Sequence, residues 1–178
     1  MANLKSTARL ISAFSFAAYK HRNQRRKDVE GIPYINHPIA LAHVLSVEGN
    51  VGDQDVLVAA VLHDTLEDTK TTVDELRRKF GKKIAGIVSE VTDDKNLHKS
   101  VRKRLQVEHA PRLSKSAKLV KLADKICNLR DVVSNPPTTW RMKRRRQYFD
   151  WAKAVVDGLR GVHPKLEKLF DRAYSRKP

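Results

Sequence analysis

The sequence predicts an all-α protein, and three observations lead there. Apolar residues recur at helical spacing almost throughout, and no alternating strand pattern persists. Gly and Pro number only seven each, and most of them mark the ends of periodic segments. Capping words stand where such segments begin. The expected architecture is one domain over residues 1–178, built from about eight to ten helices.

A first helix is expected from about Asn3 to Arg22, with Ala8, Ile11, Phe14 and Ala18 on its apolar face. The charged loop Arg25–Gly31 leads to Pro33. Pro38 suits the first turn of a second helix, Ile39–Val47, where a missing N–H costs nothing. Gly49 and Gly52 close it, and Asp53 can cap the third. That third helix carries Val56, Val58, Ala59, Ala60, Val61 and Leu62, a near-continuous apolar surface that implies burial on several sides. Thr72-Val73-Asp74-Glu75 is a capping box, and Gly81 stops the short helix it opens. A helix over Lys83–Val91 follows, then a polar loop from Thr92 to His98.

A highly charged helix, Ser100–His109, ends at Pro111. Ser116–Val133 reads as a second buried helix, with Leu119, Val120, Leu122, Ala123, Ile126 and Leu129 inward. Asn135-Pro136-Pro137 breaks it. A long helix follows from about Thr139 to Leu159, and His163-Pro164 opens the last one.

The lone cysteine, Cys127, excludes an internal disulfide framework, suits a reducing compartment and falls within the apolar helix as a core residue. Leu10 to Ala18, following Lys5 and Arg9, loosely resembles a targeting segment, but Ser12 and Ser15 interrupt it. No run approaches the ~20 apolar residues of a membrane span. The expected location is the cytoplasm, with no membrane partner. Lys and Arg outnumber Asp and Glu by 36 to 20, a net charge of +16, which attracts anions without identifying them. A nucleic-acid module is the weaker explanation. The chain has five Phe, four Tyr and two Trp, with no RNA-binding signature and no helix-turn-helix pattern. No obligate nucleic acid is expected, and a homodimer is left open.

The apolar run from Val58 ends abruptly in His63-Asp64-Thr65-Leu66-Glu67-Asp68. Ionisable groups at the end of a buried helix are costly unless something pairs with them. Upstream stands Tyr34-Ile35-Asn36-His37-Pro38, and downstream Lys121-Leu122-Ala123-Asp124-Lys125. Together these supply His37, His63, Asp64 and Asp124 as candidate metal ligands. Helical i, i+4 spacing aligns His63 with Glu67, Asp64 with Asp68, and Asp124 with Asn128. Two imidazoles and two carboxylates suit one Mn²⁺ or a similar cation, which activates a water and polarises a phosphoryl oxygen.

Glu67 and Asp68 lie one turn beyond that set and suit acid/base work, since neighbouring carboxylates raise one another's pKa. Which of them handles the water and which the leaving group is open. Asp124 has a second reading, an ion pair with Lys121 or Lys125 on its own helix. His21, His43, His98, His109 and His163 receive no site role.

These words resemble the hydrolase domain of the RelA/SpoT homologue family. The resemblance rests on Tyr34–Pro38, Leu62–Asp68, Glu90–Lys95 and Lys118–Lys125, and runs from about Ala8 to about Leu169. The length is similar to the stand-alone small alarmone hydrolases, the metazoan SpoT-homologue branch in particular, with no room for a synthetase domain. The resemblance implies an HD-domain helical fold and Mn²⁺-dependent removal of the 3′-pyrophosphate from guanosine tetra- or pentaphosphate, leaving GDP or GTP. It implies metal binding by His37, His63, Asp64 and Asp124, and catalysis by Glu67 and Asp68. It further implies nucleotide contacts at Arg26, Lys27, Tyr34, Lys99, Asn128 and Tyr148. An HD site acting on another nucleotide, such as the 2′-phosphate of NADPH, is the alternative. The basic cluster Arg141, Lys143, Arg144, Arg145 and Arg146 is not explained by the resemblance.

Overall fold

The computed structural model describes residues 2–178, with side chains from Leu4 onward; Met1, the first residue of the expected domain, lies outside the described residues. Among the described residues ten α-helices follow one another: α1 Ala2–Lys20, α2 Asn36–His43, α3 Gln54–Leu62, α4 Thr65–Asp68, α5 Val73–Phe80, α6 Lys82–Val91, α7 Lys99–His109, α8 Lys115–Ser134, α9 Met142–Asp157 and α10 Pro164–Tyr174. The extended pairing among the described residues is a single bridge between Arg25 and Pro33. No described helix is long and apolar enough to cross a membrane.

Two helices make the centre. Every residue of α3 from Val56 to Leu62 is buried, with α1, α2, α6 and α8 packed around it. On α8, Leu119, Val120, Leu122, Ala123, Ile126 and Leu129 face the same core. Burying a side chain such as Leu62, Leu122 or Ile126 contributes roughly 1.5–3 kcal/mol, so this contact anchors the fold. The site is built where α3 ends beside the middle of α8.

Local chemistry sets the helix ends. Asp53 accepts from the backbone of Asp55 and Val56 at the start of α3, as its position predicts. Thr72 caps α5 by accepting from the Glu75 backbone, but Glu75 turns its carboxylate to Lys20 rather than closing the box. Ser114 caps α8, and His163, placed before Pro164, caps α10 through its imidazole. The expected boundaries hold within a few residues.

Two expectations need correction. The buried face of α1 carries Leu10, Ala13, Phe14 and Ala17; Ala8, Ile11 and Ala18 point outward, because Ala13 and Ala17 allow α1 close to α3. The second helix begins at Asn36, three residues before the expected Ile39, and then widens into a π-helical turn over Val44–Glu48. There the Gly49 amide donates to Val44 O at 2.7 Å. A Cβ on Gly49 would sit 2.7 Å from Leu166 Cδ2 and 2.8 Å from Leu45 O, so the turn fits a residue without a side chain.

Candidate metal centre and nucleotide cleft

The α3 backbone stops at Leu62, and His63 and Asp64 form a turn before α4 resumes. The Asp68 amide still donates to Asp64 O at 2.8 Å, so the expected Asp64–Asp68 column survives the break. Thr65 is buried, and its hydroxyl donates to Leu62 O, tying the turn to the helix. This break directs both ionisable side chains of the His-Asp pair toward α8.

His37, His63 and Asp124 each offer a ligand atom, all within 4.8 Å of one another. His37 Nε2 lies 3.3 Å from Asp124 Oδ1, and the two imidazole centroids are 5.3 Å apart. Asp64, the fourth expected ligand, is not in that group of three; its Oδ2 lies 2.8 Å from His63 Nε2 and accepts from the Tyr34 hydroxyl. The other nitrogen of His63, Nδ1, sits 2.7 Å from Ala60 O and must therefore carry a proton toward it. That leaves Nε2 aimed at carboxylates, buried and outside hydrogen-bond geometry with any of them.

The donor set fits a divalent cation: a backbone-oriented imidazole with its free nitrogen among carboxylates is the usual setting of a metal-ligating histidine. The imidazole and carboxylates also act strongly on one another. Burial alone would lower the His63 pKa, but Asp64 and then Asp124 push it up to about 9. Burial alone would likewise raise the Asp64 carboxyl, but His63 and then His37 hold it well below the usual carboxylate range. Asp124 is held low against burial by Lys125, His37 and His63.

Asp124 makes the ion pair with Lys125 and also faces the imidazoles. Its Oδ2 lies 3.0 Å from the Lys125 ammonium, while Oδ1 accepts from Asn128 Nδ2 at 2.5 Å and faces His37. Lys121 instead donates to Val91 O at 2.9 Å.

Glu67 and Asp68 flank the cluster in different surroundings. Glu67 Oε2 accepts from the Asp93 amide at 3.2 Å, and Oε1 lies 3.4 Å from Arg102 Nη1. Burial raises its pKa despite that amide, with Asp93 and Asp64 adding to the rise. Asp68 is paired with Lys95 and lies within reach of the Tyr34 hydroxyl at 3.5 Å. The two carboxylates are therefore not interchangeable.

A cleft of about 550 Å³ opens beside this centre. Its walls include Arg26, Lys27, Tyr34, Asn128 and Tyr148, five of the six expected nucleotide-contacting residues. The sixth, Lys99, lines an adjoining groove with Lys103 and Arg144; Trp140 and Tyr148 are shared by both spaces. Arg26 is fixed by Asp131 at 2.5 Å and lies over the Tyr34 ring. Burial pushes the Tyr148 hydroxyl up to about 12, which keeps it a donor. Lys99 is lowered by partial burial and by Arg144, Lys27 and Arg102, cations gathered without a carboxylate among the causes. Arg144 lies over the Trp140 ring at 4.6 Å, which places one member of the Arg141–Arg146 cluster at the groove.

Sequence reasoning missed several participants. Lys95 closes the Glu90–Lys95 segment, yet nothing in its spacing indicates that it meets Asp68. Trp140 had no periodic signal. His21, given no site role, packs in the interior against Tyr34 with ring centroids 4.8 Å apart, and its Nδ1 contacts Gln24 Oε1 at 2.7 Å. Gln24 in turn donates to Asp68 O at 2.5 Å, which supports the acidic pair from beneath.

Residues 13–150 match the HD domain family model. The chain is 56% identical to the Danio rerio guanosine-3′,5′-bis(diphosphate) 3′-pyrophosphohydrolase MESH1, over 94% of this chain and 96% of the relative. It is 53% identical to the Homo sapiens MESH1 of the same description, covering 96% and 95%. A solved metazoan orthologue of SpoT, described as hydrolysing ppGpp with a role in starvation responses, superposes with a TM-score of 0.92 at 50% identity over 94% of each chain. The Listeria monocytogenes protein lmo0812 shares the fold more distantly, with a TM-score of 0.65 at 27% identity, over 80% of this chain and 96% of that one.

Proposed function

The chain belongs to the HD domain family, on its MESH1 branch, and from that premise we propose that it is a guanosine-3′,5′-bis(diphosphate) 3′-pyrophosphohydrolase. Water adds to the phosphorus next to the ribose 3′-oxygen, that P–O bond breaks, and GDP or GTP leaves with a 3′-hydroxyl beside free pyrophosphate. Residues 1–178 are read as one hydrolase domain, acting in the cytoplasm; the reduced, buried Cys127 accords with that compartment.

The observation that carries the reading is the convergence of His37, His63 and Asp124, with Asp64 in contact, in a pocket of about 210 Å³ that shares Arg26, Tyr34, Asp68 and Asn128 with the larger cleft. These four residues hold the ion, taken as Mn²⁺ because two imidazoles and two carboxylates suit that borderline cation. A divalent cation held there polarises a phosphoryl oxygen and acidifies water.

The protein's own groups do the rest. Glu67, raised by burial and fixed at both oxygens, is suited to take the proton of the attacking water. Asp68 with Lys95 stands at the junction with the cleft, where the leaving oxygen needs a proton or a countercharge. Asn128 and Tyr148 offer neutral donors to the ribose and phosphates, and Arg26, Lys27 and Lys99 offer charged ones.

The test is direct. Mn²⁺-loaded protein should convert ppGpp to GDP and pyrophosphate, with kcat/KM on NADPH measured in parallel. Intact ppGpp after prolonged incubation would reject the reading; a large preference for NADPH would reassign the substrate.

A further inference from the structure

Helix α7 is unlike the other helices at the site, because none of its residues is buried. It nevertheless sends two side chains, one turn apart, to the same place. Arg102 Nη1 lies 3.4 Å from Glu67 Oε1. Gln106 Nε2 donates to Asp93 Oδ2 at 2.6 Å, and the Asp93 amide donates to the second oxygen, Glu67 Oε2. Both oxygens of Glu67 are thus held by α7, one directly and one through Asp93. Arg102 Nε and Gln106 Oε1 are buried without partners. Unpaired polar atoms at the edge of a site point to a constraint other than stability.

We propose that Arg102 is a positioning residue that fixes the Glu67 carboxylate for reaction, with Gln106 as its relay through Asp93. The proposal rests on the reading of Glu67 as the group that handles the attacking water. A salt bridge of 3.4 Å is long for a structural pair, and catalytic contacts commonly tighten only when substrate is bound. The same helix begins at Lys99, beside the nucleotide cleft, and Arg102 follows it by about one turn. Anion contact at the start of α7 and orientation of Glu67 are therefore carried by one rigid element.

The experiment is a double-mutant cycle on Mn²⁺-loaded protein with ppGpp, comparing wild type, Arg102→Met, Arg102→Lys, Glu67→Gln and the double variant Arg102→Met with Glu67→Gln. Arg102→Met should lower kcat about 10- to 100-fold, the scale of a misplaced catalytic group, and leave KM and bound metal unchanged. Arg102→Lys should recover part of that loss, and Arg102→Met should cost nothing further once Glu67 is Gln. If Arg102→Met keeps wild-type kcat, or adds its full factor in the Glu67→Gln background, the proposal is overturned while the reading of Glu67 stands. If Glu67→Gln itself turns over at the wild-type rate, the reading beneath it falls instead. Should Arg102→Met fail to fold, Gln106→Ala takes its place in the same cycle with the same expectations.

Discussion

His63 Nε2 lies 2.8 Å from Asp64 Oδ2, although the two residues are adjacent in a turn and make no hydrogen-bond geometry there. The opposite ring nitrogen is committed to Ala60 O, so the imidazole cannot rotate away from the carboxylate without losing that partner. A buried lone pair facing a carboxylate is repulsive unless a proton or a cation lies between them. Asp124 and His37 close the same space from α8 and α2.

Metal removal should therefore destabilise the fold as well as stop the reaction. A cation at 100 times its Kd stabilises the native state by about 2.7 kcal/mol, which for a chain of this size corresponds to roughly 5–10 °C in melting temperature. Chelated protein should melt lower, Mn²⁺ should restore it, and Asp64→Ala should abolish both that shift and turnover. Identical melting curves with and without Mn²⁺, together with no bound metal by elemental analysis, would remove the centre from the account.

Glu67→Gln and Asp68→Asn should each lower kcat by about 10²–10⁴-fold, the usual contribution of a positioned acid or base, and leave metal content intact. Both carboxylates have partners of their own, Glu67 the Asp93 amide and Arg102, Asp68 the Lys95 ammonium. Loss of metal from the Glu67→Gln protein would transfer Glu67 to the ligand set.

Much of this was legible in the chain. The apolar runs of α3 and α8 mark the two central helices, and the acid and imidazole residues at the end of the first are those that lie beside His37 and Asp124. The burial of those runs made the polar residues anomalous, which is why they stood out. What stayed hidden was tertiary. Lys95 meets Asp68, and Gln106 meets Asp93, through loop geometry that no periodicity encodes. The face of α1 was misread because Ala13 and Ala17 pack closely by being small, while the larger Ile11 remains outside. The π-helical turn after α2 gave no signal beyond Gly49 itself.

Two glycines on helical backbone should respond in opposite directions to the same substitution. Gly49→Ala places a methyl 2.7 Å from Leu166 Cδ2 and 2.8 Å from Leu45 O, one of them backbone that cannot yield. Overpacking of this kind costs about 1–3 kcal/mol. Gly86, within α6, has nothing within 4 Å of an added Cβ. Gly86→Ala should stabilise by about 0.4–1 kcal/mol through the unfolded chain. Thermal melts of both variants check the pair; a Gly49→Ala protein as stable as wild type would show that the π-helical turn can relax.

The adjoining basic groove should govern substrate affinity more than turnover. Lys27, Lys99, Lys103 and Arg144 crowd together; burial lowers Lys99 and Lys103, and the charged neighbours that add to it are all cationic. Such a cluster is costly in isolation and is relieved by an anion of high charge density, which a nucleotide with four or five phosphates supplies. Screening weakens that attraction as the Debye length falls from about 30 Å at 0.01 M to about 8 Å at 0.15 M salt. KM for ppGpp should rise with salt while kcat holds, because the groove shares no lining residue with the pocket of the proposed metal centre. Lys99→Gln should raise KM roughly 10- to 100-fold at low salt, the value of a charge-assisted hydrogen bond, and Lys99→Gln combined with Arg144→Gln should flatten the salt slope. A double variant with the wild-type slope would mean that the groove faces solvent only, and that Arg26 and Lys27 alone meet the phosphates.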